Sequence, residues 1–211
     1  MLLRLLWICV LTAALASLAA MALLGARRSR RLARRAHEMG LRFSPDDLFD
    51  APRRYAPFAL MRAGHSCRAH NVIYGRREGL PVRAFDFHYE IGHGPVRSTR
   101  RYWCVVVETD RDLCRLILWN HMDRQTAPTE ATGADQEYGQ WALRGSAQDA
   151  VAVAPLMKAL AGQGASCQSC GQVFMMCLPA HSKLLAEASQ FEIAVAMARA
   201  LCTRSEAQTC A

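Results

Sequence analysis

The N-terminal part of the chain consists of an apolar run followed by a basic run. Residues 5–24 contain no charged side chain, and about 20 such residues form a helix of roughly 30 Å, long enough to cross the hydrocarbon core of a bilayer. An arginine-rich stretch follows and ends before Gly40, a residue typical of helix C-termini. The pattern therefore predicts a transmembrane anchor over residues 1–25 and a basic juxtamembrane helix over residues 26–40.

Beyond Gly40 the apolar positions take on the spacing of β-strands. Between Leu80 and Ile91 apolar residues alternate with polar ones, which predicts a strand with one buried and one solvated face. The stretch Tyr102–Glu108 is apolar on both sides and rich in valine, so it predicts a central strand. Further strand-like runs cover residues 58–62, 68–74, 114–119, 137–143 and 173–178.

Two later stretches have helical spacing. Ser146 precedes apolar residues on one helix face and predicts a capped helix start. Residues 183–202 carry an apolar stripe that predicts an amphipathic helix. Because strands come first and helices later, with hairpin-length links, we expect an α+β domain over residues 41–211. Its predicted architecture is an antiparallel β-sheet with packed helices, including the C-terminal amphipathic helix.

Most of the net charge belongs to the predicted membrane junction. The formal net charge is +8, and residues 1–40 hold seven arginines and one glutamate, whereas residues 41–211 hold 19 basic and 17 acidic groups. The near-neutral domain argues against a nucleic-acid partner. Arginine-rich flanks stay in the cytoplasm and attract anionic lipid, so we expect the domain at the inner face of a plasma membrane. The predicted membrane-surface residues are Arg27, Arg28, Arg30, Arg31, Arg34 and Arg35.

An exported domain is the alternative to this anchored form. Arg4 and the small residues around Ala14-Leu15-Ala16 resemble a signal peptide with its cleavage site. The eight cysteines outside the apolar run could then form disulfides. The apolar run continues past that site to Leu24, and the arginine block behind it impedes export. These two features favour the anchor, for which we expect reduced cysteines that pack as small hydrophobic side chains.

Three polar residues of the predicted strand 80–91 are candidates for a metal-dependent enzyme. Asp86, His88 and Glu90 lie on one face at every second position, and such groups can bind a metal or transfer protons. The opposite face of the strand is continuously apolar. We therefore interpret the three residues as the solvated face of an amphipathic strand.

The late cysteines are candidates for a zinc site or a redox thiol pair. Cys167 and Cys170 form a CxxC motif, followed by Cys177 and His181. The sequence contains no second CxxC, and Cys177 lies in the strand-like run 173–178, where alternation places its thiol beside Val173 and Met175. We interpret the motif as a hairpin turn with incidental cysteines.

Three short stretches resemble a loose group of uncharacterised bacterial single-pass membrane-anchored proteins that carry a domain of unknown function. They are Arg35–Phe43, Asn71–Gly75 and Ala84–Tyr89. In that group a short helix ends in glycine before an aromatic residue, and a strand pair precedes a valine-rich strand. Phe87 stands where the group often has tyrosine. The resemblance covers residues 35–110 and implies a fold and a membrane context, with no activity attached.

The sequence predicts no catalytic residue, metal or cofactor, because it contains no phosphate-binding loop, nucleophile elbow or zinc-protease motif. The leading hypothesis is a membrane-tethered, non-enzymatic binding module with an unidentified protein partner. A metal-dependent or thiol enzyme and an exported, disulfide-containing domain are the two alternatives.

Overall fold

A single antiparallel sheet organises the part of the chain that the computed structural model describes, residues 2–120, 136–180 and 187–209. The α-helices are α1 (Leu2–Glu38), α2 (Ala51–Arg54), α3 (Ala147–Lys158) and α4 (Glu187–Thr209). The strands are β1 (Arg42–Asp46), β2 (His65–Arg77), β3 (Leu80–Ile91), β4 (Ser98–Glu108), β5 (Leu116–Asn120), β6 (Gln136–Tyr138), β7 (Trp141–Arg144), β8 (Ser166–Cys170) and β9 (Val173–Pro179).

The sheet order is β1-β2-β3-β4-β9-β8-β5-β7-β6, and every neighbouring pair is antiparallel. The predicted α+β fold class is confirmed. Strand β4 lies between β3 and β9, with Val105 opposite both Ala84 and Met176, so its predicted central position is confirmed as well. A two-residue turn joins β2 and β3, with Glu78 and Gly79 at positive φ as such a hairpin requires.

Both faces of the sheet are covered. On the face that we call the helical face, the second half of α1, together with α3 and α4, packs against one hydrophobic cluster. On the opposite face, residues 51–63 close a second cluster around Phe85, Phe87 and Tyr89. Strand β3 is thus buried on both sides along most of its length. The prediction that one face of β3 is solvated is wrong, because the chain folds a helix over that face.

Helix α1 joins the predicted anchor to the core without interruption. Its side chains from Leu6 to Leu24 are exposed, whereas Leu32 and Ala36 are buried in the helical-face cluster and the helix packs against β1 and β2. The helix ends at Glu38, just before Gly40 at φ 69°, where a glycine adopts the left-handed conformation without steric cost. The second half of α1 is therefore a structural part of the domain.

Some predicted elements differ from the structure. The predicted strand at 58–62 is a 3-10 turn, Ala59–Arg62. Its apolar residues are buried because they cover the opposite face of the sheet. The segment at 42–46, which lacks clear alternation, forms the edge strand β1. The predicted strand at 137–143 is instead the hairpin β6–β7, because Gly139 turns the chain at φ 60°.

The two predicted helices are present. The Ser146 hydroxyl accepts a hydrogen bond from the backbone N–H of Gln148 at 3.2 Å and caps α3 as predicted. The amphipathic C-terminal helix is confirmed from Glu187, and Phe191 and Val195 on its apolar stripe are buried. The first part of the predicted helix, residues 183–186, lies outside the described residues.

A polar cluster around Glu108 fastens the segment that covers the opposite face. The Glu108 carboxylate accepts hydrogen bonds from Arg54 at 3.1 Å and from the Tyr55 hydroxyl at 3.2 Å, and it pairs with Arg83. Burial acts to raise the pKa of Glu108, but the neighbouring Arg83 and Arg54 outweigh it and lower the pKa below its ordinary value. The carboxylate thus favours the ionised form in the folded protein.

We expect this cluster to make the domain sensitive to acid. Because the folded pKa of Glu108 lies below its unfolded value of about 4.3, the cluster stabilises the fold above that pH and loses its contribution as the pH falls through the folded pKa. The Glu108→Gln variant should show a smaller decrease in unfolding midpoint between pH 6 and pH 3 than the unchanged protein, measured by thermal denaturation. Parallel profiles for the two proteins would contradict this assignment.

Candidate functional site at the junction of helix α1 and the sheet

A largely buried ion pair fixes helix α1 to the sheet. Arg28 Nε donates to Asp86 Oδ2 at 2.8 Å, and Arg28 Nη2 donates to Asp86 Oδ1 at 2.5 Å. The same guanidinium carbon lies 5.9 Å from the ring centroid of Trp103. Because both donors of the fork engage one carboxylate, the contact sets the orientation of the helix as well as its distance from β3.

A β-bulge in β2 brings two more side chains to the same carboxylate. The register between β2 and β3 shifts between His70 and Ile73, and Asn71 has φ 53°. Asn71 Nδ2 donates to Asp86 Oδ2 at 2.9 Å, and His70 Nε2 lies 3.8 Å from that oxygen. Bulges commonly redirect side chains toward functional sites. Here the bulge leaves Asp86 with partners on both of its oxygens.

An open cavity of about 700 Å³ lies between α1 and this end of the sheet. Such a volume lies within the usual range for small-molecule sites. Gly25 and Arg28 line the cavity on the side of the helix. Its polar lining from the sheet comprises His70, Asn71, Asp86, His88, Glu90 and Arg101.

A lateral row of basic side chains crosses the sheet beside this cavity. His88 on β3 stands opposite Arg68 on β2 and Arg101 on β4, and of these three His88 and Arg101 line the cavity. Partial burial, and after it the charges of His70, Arg101 and Arg68, lowers the pKa of His88 below its ordinary value. A lowered pKa favours the neutral imidazole, so the positive charge of the row belongs to Arg68 and Arg101.

The acidic side chains near this row already have partners. Asp86 is held by Arg28, and Glu90 pairs with Arg97 and lies 3.7 Å from His65. In the part of the chain that the structure describes, no carboxylate lies within ion-pairing distance of Arg68 or Arg101. Arg68 and Arg101 therefore carry positive charge that no described carboxylate offsets by direct pairing.

The three candidate metal ligands on β3 do not form one site. Asp86 and Glu90 are buried, and each is bound to a different arginine, whereas His88 contacts the ring of His70 at a centroid distance of 5.6 Å. No group of three or more His, Cys, Asp or Glu side chains within the described residues is arranged to hold a metal ion. The interpretation of these residues as a solvated face is nevertheless wrong for Asp86 and Glu90.

The CxxC cysteines lie on opposite faces of the sheet. Both belong to β8, in which residues three positions apart point to opposite sides. Cys167 lies in the helical-face cluster, and Cys170 packs against the cluster on the other face. Burial raises the pKa of the Cys167 thiol far above its ordinary value, which removes thiolate character. The interpretation of the motif as a hairpin turn is wrong for the motif itself, which forms strand β8; the turn follows it and joins β8 to β9. His181 lies outside the described residues.

Two other cysteines face each other across neighbouring strands. Cys104 on β4 is in register with Cys177 on β9, and their sulfur atoms are 4.0 Å apart as free thiols. As predicted, Cys177 shares its cluster with Val173 and Met175. Burial and the adjacent Cys177 raise the pKa of the Cys104 thiol. The pair thus packs as small apolar side chains within the core.

The six predicted membrane-surface arginines have two different environments. Arg28 faces the sheet and has a side chain that is 30% exposed. The other five, which we call the juxtamembrane arginines, are exposed on α1; they are Arg27, Arg30, Arg31, Arg34 and Arg35. Arg35 makes a surface ion pair with Glu38 at 2.9 Å. The arginine block therefore serves both the helix–sheet contact and the exposed surface.

Sequence reasoning missed the contribution of Arg28, Asn71 and Arg101 to this junction. The helical period places Arg28 on the same face as Leu32 and Ala36, four and eight residues later, so that apolar stripe was the available signal. The bulge at Asn71 has no comparable signal, since the residue is not a glycine yet adopts a positive φ.

The features described define a class of protein, an α+β domain whose single antiparallel sheet is preceded by a helix of membrane-anchor type. Helix α1 is the one described helix that is long and apolar enough to cross a membrane, judged by length and composition. No protein-family model matches the sequence, and no curated protein gives a significant match.

One solved structure with a similar fold is that of the mycobacterial trehalose monomycolate transport factor A, TtfA. Its crystal structure is similar to this chain with a TM-score of 0.50, covering 82% of this chain and 90% of that chain at 12% sequence identity. A likeness at such low identity shows the fold alone. The resemblance to bacterial membrane-anchored proteins of unknown function is not tested by these comparisons and stays a prediction.

Proposed function

We propose that this protein is a membrane-tethered, non-enzymatic binding module at the inner face of a bacterial membrane. The observation that carries the proposal is the continuity of helix α1. Between Leu6 and Leu24, ten large apolar side chains are more than half exposed, and such a surface requires an apolar environment. The same helix then enters the core at Leu32 and Ala36, so the domain is held directly beneath the apolar segment.

The juxtamembrane arginines support the orientation. All five are exposed directly after the apolar segment, where arginine resists translocation and keeps its flank in the cytoplasm. Each basic residue near an anionic surface contributes about 1 kcal/mol of attraction. Membrane lipid is accordingly the first partner that we propose, and a protein partner stays a prediction.

The placement of possible reactive groups favours a binding role over the alternative of a metal-dependent or thiol enzyme. The residues Asp86 and Glu90 are each bound to a separate arginine. The two CxxC thiols face opposite sides of the sheet. General acid–base and thiol chemistry both need groups that converge on one reacting atom, and these pairs do not converge.

Reporter fusions test the orientation. A cytoplasm-active and a periplasm-active reporter, fused in turn to Ala211 of the full chain in a bacterial host, should give signal from the cytoplasmic reporter only. Replacing all five juxtamembrane arginines with glutamine should increase the signal from the exported reporter, because the basic flank sets the orientation.

The exported alternative gives a different outcome in the same experiment. Signal from the periplasmic reporter alone, with a mature mass that lacks the first residues, would contradict the anchored orientation and would support a cleaved signal peptide. The cysteine pair Cys104 and Cys177 would then be the first pair to examine for a disulfide.

A further inference from the structure

We propose that the cavity between α1 and the sheet binds the phosphate group of an anionic membrane lipid, with Arg101 and His88 of its lining as direct partners and Arg68, on the strand next to His88, as a second charge beside the cavity. This inference rests on the proposed function, because it uses the position of the cavity relative to the membrane. It goes beyond general attraction to lipid by assigning a defined site to one headgroup.

The two arginines of the basic row lack a counter-charge. Arg68 and Arg101 lie on the strands to either side of His88, so two positive charges flank one imidazole. Within the described ranges no carboxylate pairs with either arginine. An anion placed over the row provides the missing counter-charge.

The carboxylates of the cavity do not act as counter-charges for Arg68 and Arg101. Asp86 accepts three hydrogen bonds, two from Arg28 and one from Asn71. Glu90 is paired with Arg97. With both acids already neutralised, the cavity favours an anionic ligand over a cationic one.

The available donors match a phosphate group. A guanidinium offers a planar fork of N–H donors that suits phosphate oxygens, and such contacts are stronger than those between neutral groups. A neutral imidazole adds one N–H donor. Arg101 lines the cavity, and both Arg101 and Arg68 are exposed, so their long side chains have the freedom to turn toward one phosphate.

The position of the cavity next to the apolar segment identifies a lipid as the source of the phosphate. Gly25 lines the cavity and directly follows Leu24, the last residue of the apolar segment. At about 1.5 Å per residue, Gly25 and Arg28 lie within roughly 6 Å of the end of that segment. This is the level of the lipid headgroups when α1 spans the bilayer. Glu90 and Thr99 line the same cavity, which places the ends of β3 and β4 at that level too.

Binding to purified full-length protein tests the proposal. Native mass spectrometry in mild detergent, with phosphatidylglycerol and phosphatidylcholine added separately, should show one retained phosphatidylglycerol per chain and at least tenfold weaker retention of phosphatidylcholine. Calorimetry with inorganic phosphate tests the soluble source. Phosphate that binds as tightly as phosphatidylglycerol would support the phosphate site but overturn its assignment to a lipid.

A matched pair of variants distinguishes the cavity from general electrostatic attraction. The double replacement Arg68→Gln with Arg101→Gln should weaken phosphatidylglycerol binding at least tenfold. Arg31→Gln with Arg34→Gln removes the same charge from the exposed side of α1 and should change it less than about twofold, since no cavity contact is lost. Equal losses in both variants, or none in the first, would overturn the proposal.

Two further measurements keep the result interpretable. The replaced arginines are exposed, and an unchanged thermal midpoint for the Arg68 and Arg101 variant would show that its fold is intact. If that variant does not fold, Arg101→Lys, which keeps the charge and loses the fork, should reduce binding by a smaller factor. Failure of the proposed orientation appears only in the reporter fusions, whereas failure of the lipid site appears only in these binding assays.

Discussion

Replacing Leu32 with alanine is expected to destabilise the domain by about 3 kcal/mol, because leucine-to-alanine changes in a core cost about 2–5 kcal/mol. Leu32 is 1% exposed and lies in the helical-face cluster together with Ala36. The measurement is urea unfolding of the full chain in a non-denaturing detergent, followed by near-UV circular dichroism. Trypsin should also cleave more rapidly at the juxtamembrane arginines as the helix loses its contact with the sheet.

Leu48→Ala is the matched control, since it makes the same change at a side chain that is 61% exposed outside the apolar segment. This variant should stay within about 0.5 kcal/mol of the unchanged protein. Equal unfolding free energies for the Leu32 and Leu48 variants would show that α1 is a tether without a structural contribution to the domain.

The Arg28→Met replacement should lower the free energy of unfolding by about 3 kcal/mol, near the lower end of the range for breaking a buried ion pair. The change leaves the Asp86 carboxylate, with a side chain that is 10% exposed, without its cationic partner. It also removes the cation–π contact with Trp103. Thermal and urea unfolding of the full chain in detergent measure the loss.

Replacing Asp86, the other member of the ion pair, should destabilise the domain less. Asp86→Asn removes the negative charge that faces Arg28, but the arginine side chain is 30% exposed and can turn its charge toward solvent, so we expect a loss of about 1 kcal/mol. The double replacement Arg28→Met with Asp86→Leu should recover part of the stability, because two apolar side chains need no counter-charge, whereas Asn71 still loses its hydrogen-bond acceptor. A loss within 0.5 kcal/mol for Arg28→Met would contradict the ion pair.

The strands that could be predicted from sequence are those whose own residues alternate or are rich in apolar and β-branched side chains. Strands β2 and β3 are joined by the two-residue turn at Glu78-Gly79, and β3 and β4 are paired over ten consecutive positions. Their alternation and turn residues are local properties of the sequence. Strand β1 was missed since its five residues carry little alternation and are held in place by pairing with β2.

The junction site could not be predicted, because it depends on contacts between distant parts of the chain. The polar residues of β3 are typical of a solvated face, and only the presence of α1 changes that environment. The residues Arg28 and Asp86 are separated by 58 positions. Neither the helical period nor the strand period indicates which polar residue of a distant element will meet a given charge.

The CxxC motif shows a different reason why a strand, here β8, was missed. Had β8 been recognised, the spacing of three between Cys167 and Cys170 would have placed the two thiols on opposite faces from sequence alone. The strand was missed since serine, glutamine and cysteine are not typical strand residues. Burial of Ser166 and Ser169 is possible because their hydroxyl groups hydrogen-bond to the backbone of β5 and of Cys114.

Because α1 is one continuous helix, the rotation of its apolar segment about the helix axis is fixed relative to the domain. A helix turns by about 100° and advances about 1.5 Å with each residue, and the buried positions Leu32 and Ala36, together with the Arg28 fork, fix that rotation against the sheet. The domain therefore cannot rotate independently of the apolar segment. If that segment spans a bilayer, as proposed, a tilt or rotation of it would displace β2 and β3 directly, and inserting one residue between Gly25 and Arg28 would rotate the segment relative to the domain by about 100°.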